Sequence, residues 1–202
     1  MLDNAARIIS RVFHPLFMPF YGLLIIFTAP TLFGYLPVNV KRILLFIVLV
    51  NNILIPLSLF PYYKYRNIIT TWTLENRRER FIPLLITSIL YSVTSIIVYR
   101  FQIPMFLKSF LFASSFMIIA ITVINFFWKI SIHAVSAGSL MALVLILAFR
   151  MSSPLYWYLV AVIISGGLVL ASRLRLNMSS PLQVWIGFLT GFSALTLFMM
   201  LL

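Results

Sequence analysis

The stretch 104–128, PMFLKSFLFASSFMIIAITVINFFW, decides the fold class of this chain, because it is almost entirely apolar over its whole length. Its only charged residue is Lys108, near its start. A hydrophobic run of about 20 residues is long enough to cross the hydrocarbon core of a bilayer as a helix. The stretch also lacks the two-residue alternation of a barrel strand. We therefore predict a transmembrane helix over 104–128.

Other apolar runs of similar length lie on both sides of this stretch. They give further predicted spans at 16–38, 41–62, 81–100, 132–149, 155–172 and 182–202. The segment 1–15 carries Asp3, Arg7 and Arg11 among apolar positions, which is typical of an amphipathic lead-in at the membrane interface. No small-residue cleavage site follows the first apolar run, so we expect that run to be retained. The sequence predicts an all-α polytopic transmembrane bundle of about seven spans, forming one integral-membrane domain over 1–202.

The composition of the chain excludes several classes of function. Of its 202 residues, 63% are hydrophobic and 9% are charged. A net charge of +12 would favour nucleic-acid binding in a soluble protein, but here the 15 lysines and arginines lie at the ends of apolar runs, where they anchor to lipid headgroups. There is no cysteine, and two histidines with three acidic residues offer little to a metal ion. We predict no nucleic-acid partner, no metal and no cofactor.

Three polar segments are predicted to lie on one face of the membrane. They are the loop 63–80, which includes Trp72 and Glu75, the junction 129–133 and the loop 173–183. Two predicted spans separate each segment from the next, so the chain returns to the same side each time. Counting basic residues favours the cytoplasm for this face, but the preference disappears when the candidate phosphate ligands are left out. The sequence therefore predicts that the segments meet and leaves their side of the membrane open.

The polar segments carry three motifs in a defined order. They are Glu75-Asn76-Arg77-Arg78-Glu79-Arg80-Phe81-Ile82-Pro83, then Ile130-Ser131-Ile132-His133, then Ser172-Arg173 followed by Ser179, Gln183 and Gly187. From about residue 60 onward the chain resembles the superfamily of type 2 phosphatidic acid phosphatases and vanadium haloperoxidases, as a short bacterial membrane member with degenerate motifs. The corresponding family motifs are Lys…Arg-Pro, Pro-Ser-Gly-His, and Ser-Arg followed by His and then Asp. The main departure is Ser179, which stands where the family has a histidine.

The resemblance implies a six-span phosphatase-like core with an extra N-terminal span, and a role for each matching residue. In the family the histidine of the third motif attacks phosphorus, an acid orients it, and the histidine of the second motif protonates the leaving oxygen. By this correspondence Ser179 holds the attacking position, Gln183 the orienting position and His133 the acid position. The residues that would bind the phosphate are Arg77, Arg80, Ser131 and Arg173.

The replacement at position 179 weakens the expected chemistry. A serine hydroxyl without an adjacent base is a poor nucleophile at neutral pH, and His133 is the nearest candidate base. We therefore predict a lipid phosphate phosphatase-like protein of a bacterial inner membrane, impaired in hydrolysis, which acts on a lipid phosphomonoester or diphosphate.

Two other functions and several structural roles stay open at this point. The same bundle could be a non-catalytic protein that binds anionic lipids. A small transporter is disfavoured, because mid-span polar residues such as Asn51 and Asn52 are few and are expected to bond neighbouring helices. The arginines of 77–80 could simply anchor the loop to headgroups. His14 is expected to pack at the interface, since it has no polar partner nearby in the sequence. The oligomeric state is left open.

Overall fold

Helices make up most of the computed structural model, which describes residues 2–69 and 76–201. Within these ranges there is no strand. The helical stretches long and apolar enough to cross a membrane are Leu2–Thr28, Val38–Tyr65, Phe81–Tyr99, Met105–Phe127, Ile132–Met151, Tyr156–Arg175 and Pro181–Leu201. The predicted all-α bundle with seven spans is confirmed, and the chain is an integral membrane protein. Trp72 and Glu75 lie outside the described residues.

The first stretch differs from the predicted span 16–38. It consists of α1 (Leu2–Val12), a short 3-10 turn (Pro15–Phe17) and α2 (Met18–Thr28). The helix ends at Thr28 because Ala29 precedes a proline and adopts an extended conformation, with φ −61° and ψ 144°. Steric clash with the proline ring disfavours the helical conformation for the residue before it. The prediction was therefore too long at its C-terminal end.

The second stretch contains a local change of helix type. Its parts are α3 (Val38–Val48), a π-helical segment (Leu49–Leu54) and α4 (Ile55–Tyr65). The wider turn is consistent with Pro56, which has no N–H to donate to the carbonyl four residues earlier. Asn51 and Asn52 lie in the π segment, and Thr94 Oγ1 accepts from Asn51 Nδ2 at 3.0 Å and donates to Asn52 Oδ1 at 2.5 Å. The prediction that these asparagines bond a neighbouring helix is confirmed.

The remaining helices are α5 (Phe81–Tyr99), α6 (Met105–Phe127), α7 (Ile132–Met151), α8 (Tyr156–Arg175) and α9 (Pro181–Leu201). Among these helices, α7 packs against α8 and α9, and α5 packs against α6. Glycines bring α7 and α9 into close contact, because a Cβ at Gly138 would lie 2.1 Å from the Phe188 oxygen and one at Gly191 would lie 2.0 Å from the Val135 oxygen. This contact fixes the position of the N-terminus of α7, where Ser131 and His133 lie.

Candidate functional site

A cavity of about 120 Å³ lies inside the bundle, where the predicted polar segments converge. Four of the predicted site residues line it, namely Arg80, Ser131, His133 and Arg173. They come from the start of α5, the start of α7 and the end of α8. The structure therefore brings residues of all three polar segments to one cavity.

The two arginines give the cavity wall its charge. Arg80 is 5% exposed and Arg173 is 6% exposed. Nη1 of Arg80 donates to the carbonyl of Ile130 at 3.4 Å, and Nη1 of Arg173 donates to Sδ of Met178 at 2.9 Å, a weak acceptor. A guanidinium stays protonated in proteins, and of the described residues that line the cavity none is an aspartate or glutamate. The cavity is therefore suited to an anion.

The start of α7 adds neutral donors to the same wall. Ser131 is the N-cap residue of α7, but its side chain makes no capping hydrogen bond. Its Oγ is buried and has no hydrogen-bond partner in the described part of the chain. The first turn of a helix carries unpaired N–H groups and a partial positive charge, both of which favour an anion. Ser131 thus has an unused hydroxyl beside two cations.

A second histidine lines the cavity beside His133. The ring centroids of His14 and His133 lie 5.5 Å apart, with the rings nearly perpendicular. Sequence reasoning missed His14 and assigned it to interfacial packing, because its partner is distant in the chain. One sequence signal could have identified His14 as a site residue. Ionisable residues within the spans of a membrane protein are usually functional.

In the neutral form of each ring, a backbone hydrogen bond defines the tautomer. Nε2 of His133 lies 3.1 Å from the carbonyl oxygen of Ser10. Because a carbonyl only accepts, that nitrogen carries the hydrogen and Nδ1 keeps a lone pair. Nδ1 of His14 accepts from the Leu16 N–H at 3.4 Å, so the hydrogen of His14 is on Nε2. The pair therefore offers one N–H donor, on His14, and one basic nitrogen, on His133.

The structure does not bring Arg77 into the cavity. Its guanidinium donates to the carbonyl of Phe127, and its own carbonyl accepts from Nδ2 of Asn125 at 3.1 Å. Phe127 is the last residue of α6, and the last carbonyls of a helix have no partner within the helix. Arg77 therefore caps α6 and joins it to the segment before α5, a structural role in place of the predicted phosphate contact.

Ser179 and Gln183 also lie away from the cavity lining. Ser179 is 7% exposed and follows Met178, the residue that contacts Arg173. Oε1 of Gln183 accepts from the Ser180 N–H at 3.1 Å, and Oγ of Ser180 accepts from the Gln183 N–H at 3.3 Å. This reciprocal pair is a capping box at the start of α9. The geometry thus gives neither residue the catalytic place that the motif suggested.

The site as built can hold a compact anion through guanidinium, hydroxyl and imidazole donors. Within the described ranges, no group of three or more histidine, aspartate or glutamate side chains could hold a metal ion. A comparison of the chain with protein-family models, curated proteins and solved structures finds no match.

Proposed function

We propose that this protein binds the phosphate group of a membrane lipid in the cavity between α5, α7 and α8. The observation that carries the proposal is the shared position of Arg80 and Arg173, which come from opposite ends of the sequence motifs and are both buried at one cavity. Two guanidinium groups at one cavity attract an anion through their charge and their N–H donors. A phosphate fits this arrangement, because guanidinium groups match its oxygens two at a time.

The lipid character of the ligand follows from where the cavity lies. Arg80 and the first turn of α7 are at the ends of membrane spans, while the rest of the lining reaches inward between helices. The phosphate headgroup of a lipid could therefore reach the arginines in the cavity while the tail of the lipid stays in the bilayer. The resemblance of the three motifs to lipid phosphatases supports phosphate over other anions, and it is the basis for placing the protein in a bacterial inner membrane.

Ligand-dependent stabilisation of the purified protein in detergent tests this proposal. Phosphate and vanadate should each raise the free energy of unfolding, by about 2.7 kcal/mol at a concentration one hundred times Kd. The rise should vanish in Arg173→Ala. It should persist in Arg175→Ala, a matched control, because Arg175 is exposed and pairs with Asp3 at 2.9 Å.

The opposite pattern would refute the proposal. If both variants keep the stabilisation, or both lose it equally, the anion is not bound at this cavity. In a second matched pair, Arg80→Ala should lose the stabilisation by phosphate and Arg78→Ala should keep it. Arg78 is the control because it is exposed two residues before Arg80.

A second candidate function is hydrolysis of the bound lipid phosphate, which the contact between His14 and His133 favours. In this scheme Nδ1 of His133 attacks phosphorus, the bond from phosphorus to the lipid oxygen breaks, and that oxygen takes the proton of the phosphate monoanion while Nε2–H of His14 donates a hydrogen bond to it. Water then hydrolyses the phosphohistidine and releases phosphate. The Ser10 carbonyl would orient His133, as an acid does in the family mechanism.

Phosphate release from a short-chain lipid phosphate in the presence of chelator tests the second candidate. Release should be lost in His133→Asn, while binding of vanadate is retained through the arginines. Binding without any release from the unchanged protein would leave the first proposal standing and exclude the second.

A further inference from the structure

The inner part of the cavity differs in character from the arginine end. It is formed by Leu84 and Tyr91 of α5, Ser114, Met117 and Ile118 of α6, and Ser139 of α7. These residues lie deeper in the bundle than Arg80, Ser131 and Arg173, because on α5 and α7 they lie at least one turn beyond Arg80 and Ser131, and on α6 they precede the last turn.

The hydroxyl groups of this inner part are already used within the protein. Tyr91 donates to the carbonyl of Leu16 at 3.2 Å, and Ser114 donates to the carbonyl of Phe110 at 2.9 Å. Ser139 donates to the carbonyl of Gly191 at 3.2 Å. Since each donor has its acceptor, the inner part presents mainly hydrocarbon to whatever occupies it.

The dimensions of the whole cavity suit one chain. Its lining on α6 runs from Ile121 inward to Ser114, and on α7 from Ile132 inward to Ser139. At a helical rise of 1.5 Å per residue, each distance is roughly 10 Å. The whole cavity, at about 120 Å³, is similar in size to an apolar cavity of about 150 Å³ that holds one benzene ring. A narrow space of this length is too small for two chains side by side.

We propose that the inner part binds the first segment of a single hydrocarbon chain whose phosphate lies at Arg80 and Arg173. The ligand class is a lipid phosphate with one chain next to the phosphate, such as an alkyl or prenyl phosphate, in preference to a diacylglycerol phosphate. This inference rests on the proposed function, because the phosphate positions the chain.

A series of water-soluble monoalkyl phosphates tests the chain site. The affinities of methyl, butyl and octyl phosphate are measured by calorimetry on the whole protein in one detergent, below the concentrations at which the ligands form micelles. Burial of one methylene strengthens binding by about fourfold, so butyl phosphate should bind at least tenfold more tightly than methyl phosphate, and octyl phosphate more tightly still. A short diacylglycerol phosphate should bind no more tightly than octyl phosphate.

A larger side chain at the inner end of the cavity should shift the preference of the protein toward alkyl phosphates with shorter chains. In Ser114→Leu the affinity for octyl phosphate should fall to that for butyl phosphate, while methyl phosphate binds as before. Ser193→Leu is the matched control, since Ser193 is exposed on α9 and also donates to the carbonyl four residues earlier, at 2.7 Å. The series on the unchanged protein decides the question if Ser114→Leu does not fold.

The outcomes separate the two proposals. Equal affinities for methyl, butyl and octyl phosphate would overturn the chain site and leave phosphate binding intact. A diacylglycerol phosphate that binds more than tenfold better than octyl phosphate would overturn the single-chain preference. No binding of methyl phosphate or inorganic phosphate would overturn the proposed function itself, and the chain site with it.

Discussion

Replacement of Arg173 by methionine should weaken phosphate binding strongly, whereas the same replacement of Arg175 should not. Methionine is unbranched and adaptable, so it can fill much of the space of the arginine stem. The change removes one of the two buried guanidinium groups at the cavity, together with the donors that a bound phosphate would use. The response to phosphate therefore separates a ligand-binding arginine from an exposed one.

The magnitudes follow from the burial of Arg173, which is 6% exposed. Removing one charged member of a buried network costs up to about 3–5 kcal/mol, so the ligand-free variant should lose at most that much stability. Each hydrogen bond to a charged group contributes about 1.5–3 kcal/mol, so the loss of one weakens phosphate binding by roughly 10-fold to 150-fold. In Arg175→Met, the change in stability should be at most about 1 kcal/mol, because Arg175 and Asp3 are largely exposed.

Chemical unfolding in detergent, with and without phosphate, measures both effects on the same samples. The reasoning is refuted if phosphate stabilises Arg173→Met as much as it stabilises Arg175→Met.

Three further predictions concern the neighbouring elements. Gly191→Ala should destabilise the protein by at least about 1–3 kcal/mol, because the added Cβ would meet the backbone oxygen of Val135 at 2.0 Å, and unfolding in detergent measures this. Gln183→Ala should cost about 0.5–2 kcal/mol by loss of the capping box, with phosphate affinity unchanged in the calorimeter. Ser179→His should leave phosphate release unchanged, because Ser179 is not among the residues that line the cavity; a clear rise would return the attacking role to position 179.

The helical membrane fold could be predicted from sequence because its cause is local. In hydrocarbon, the backbone N–H and C=O groups of an apolar run such as 104–128 must form hydrogen bonds within the run, whatever the neighbouring segments are. The main error, at the end of the first span, also had a local cause in Pro30, which the hydropathy of the run concealed. The capping role of Gln183 was equally readable, since serine followed three residues later by glutamine is a known helix start.

The candidate site could be predicted only in part. The motifs and the count of crossings led to Arg80, Ser131, His133 and Arg173 at one cavity. They led equally to Arg77, which caps α6 instead. Arg77 and Arg80 lie in the same short segment, and only the packing of that segment against α6 determines which guanidinium points inward.

The sequence by itself determined the class of this protein, its number of spans and the placement of its polar segments on one common face, because these depend on hydrophobicity summed along short runs. Only the tertiary structure decided the partners of individual side chains. The contacts of His133 with His14 and with the Ser10 carbonyl depend on how α1 packs against α8 and on how the 3-10 turn and α2 pack against α7, and no local pattern encodes that packing. Long-range packing therefore turned an apparent interfacial histidine into part of the site.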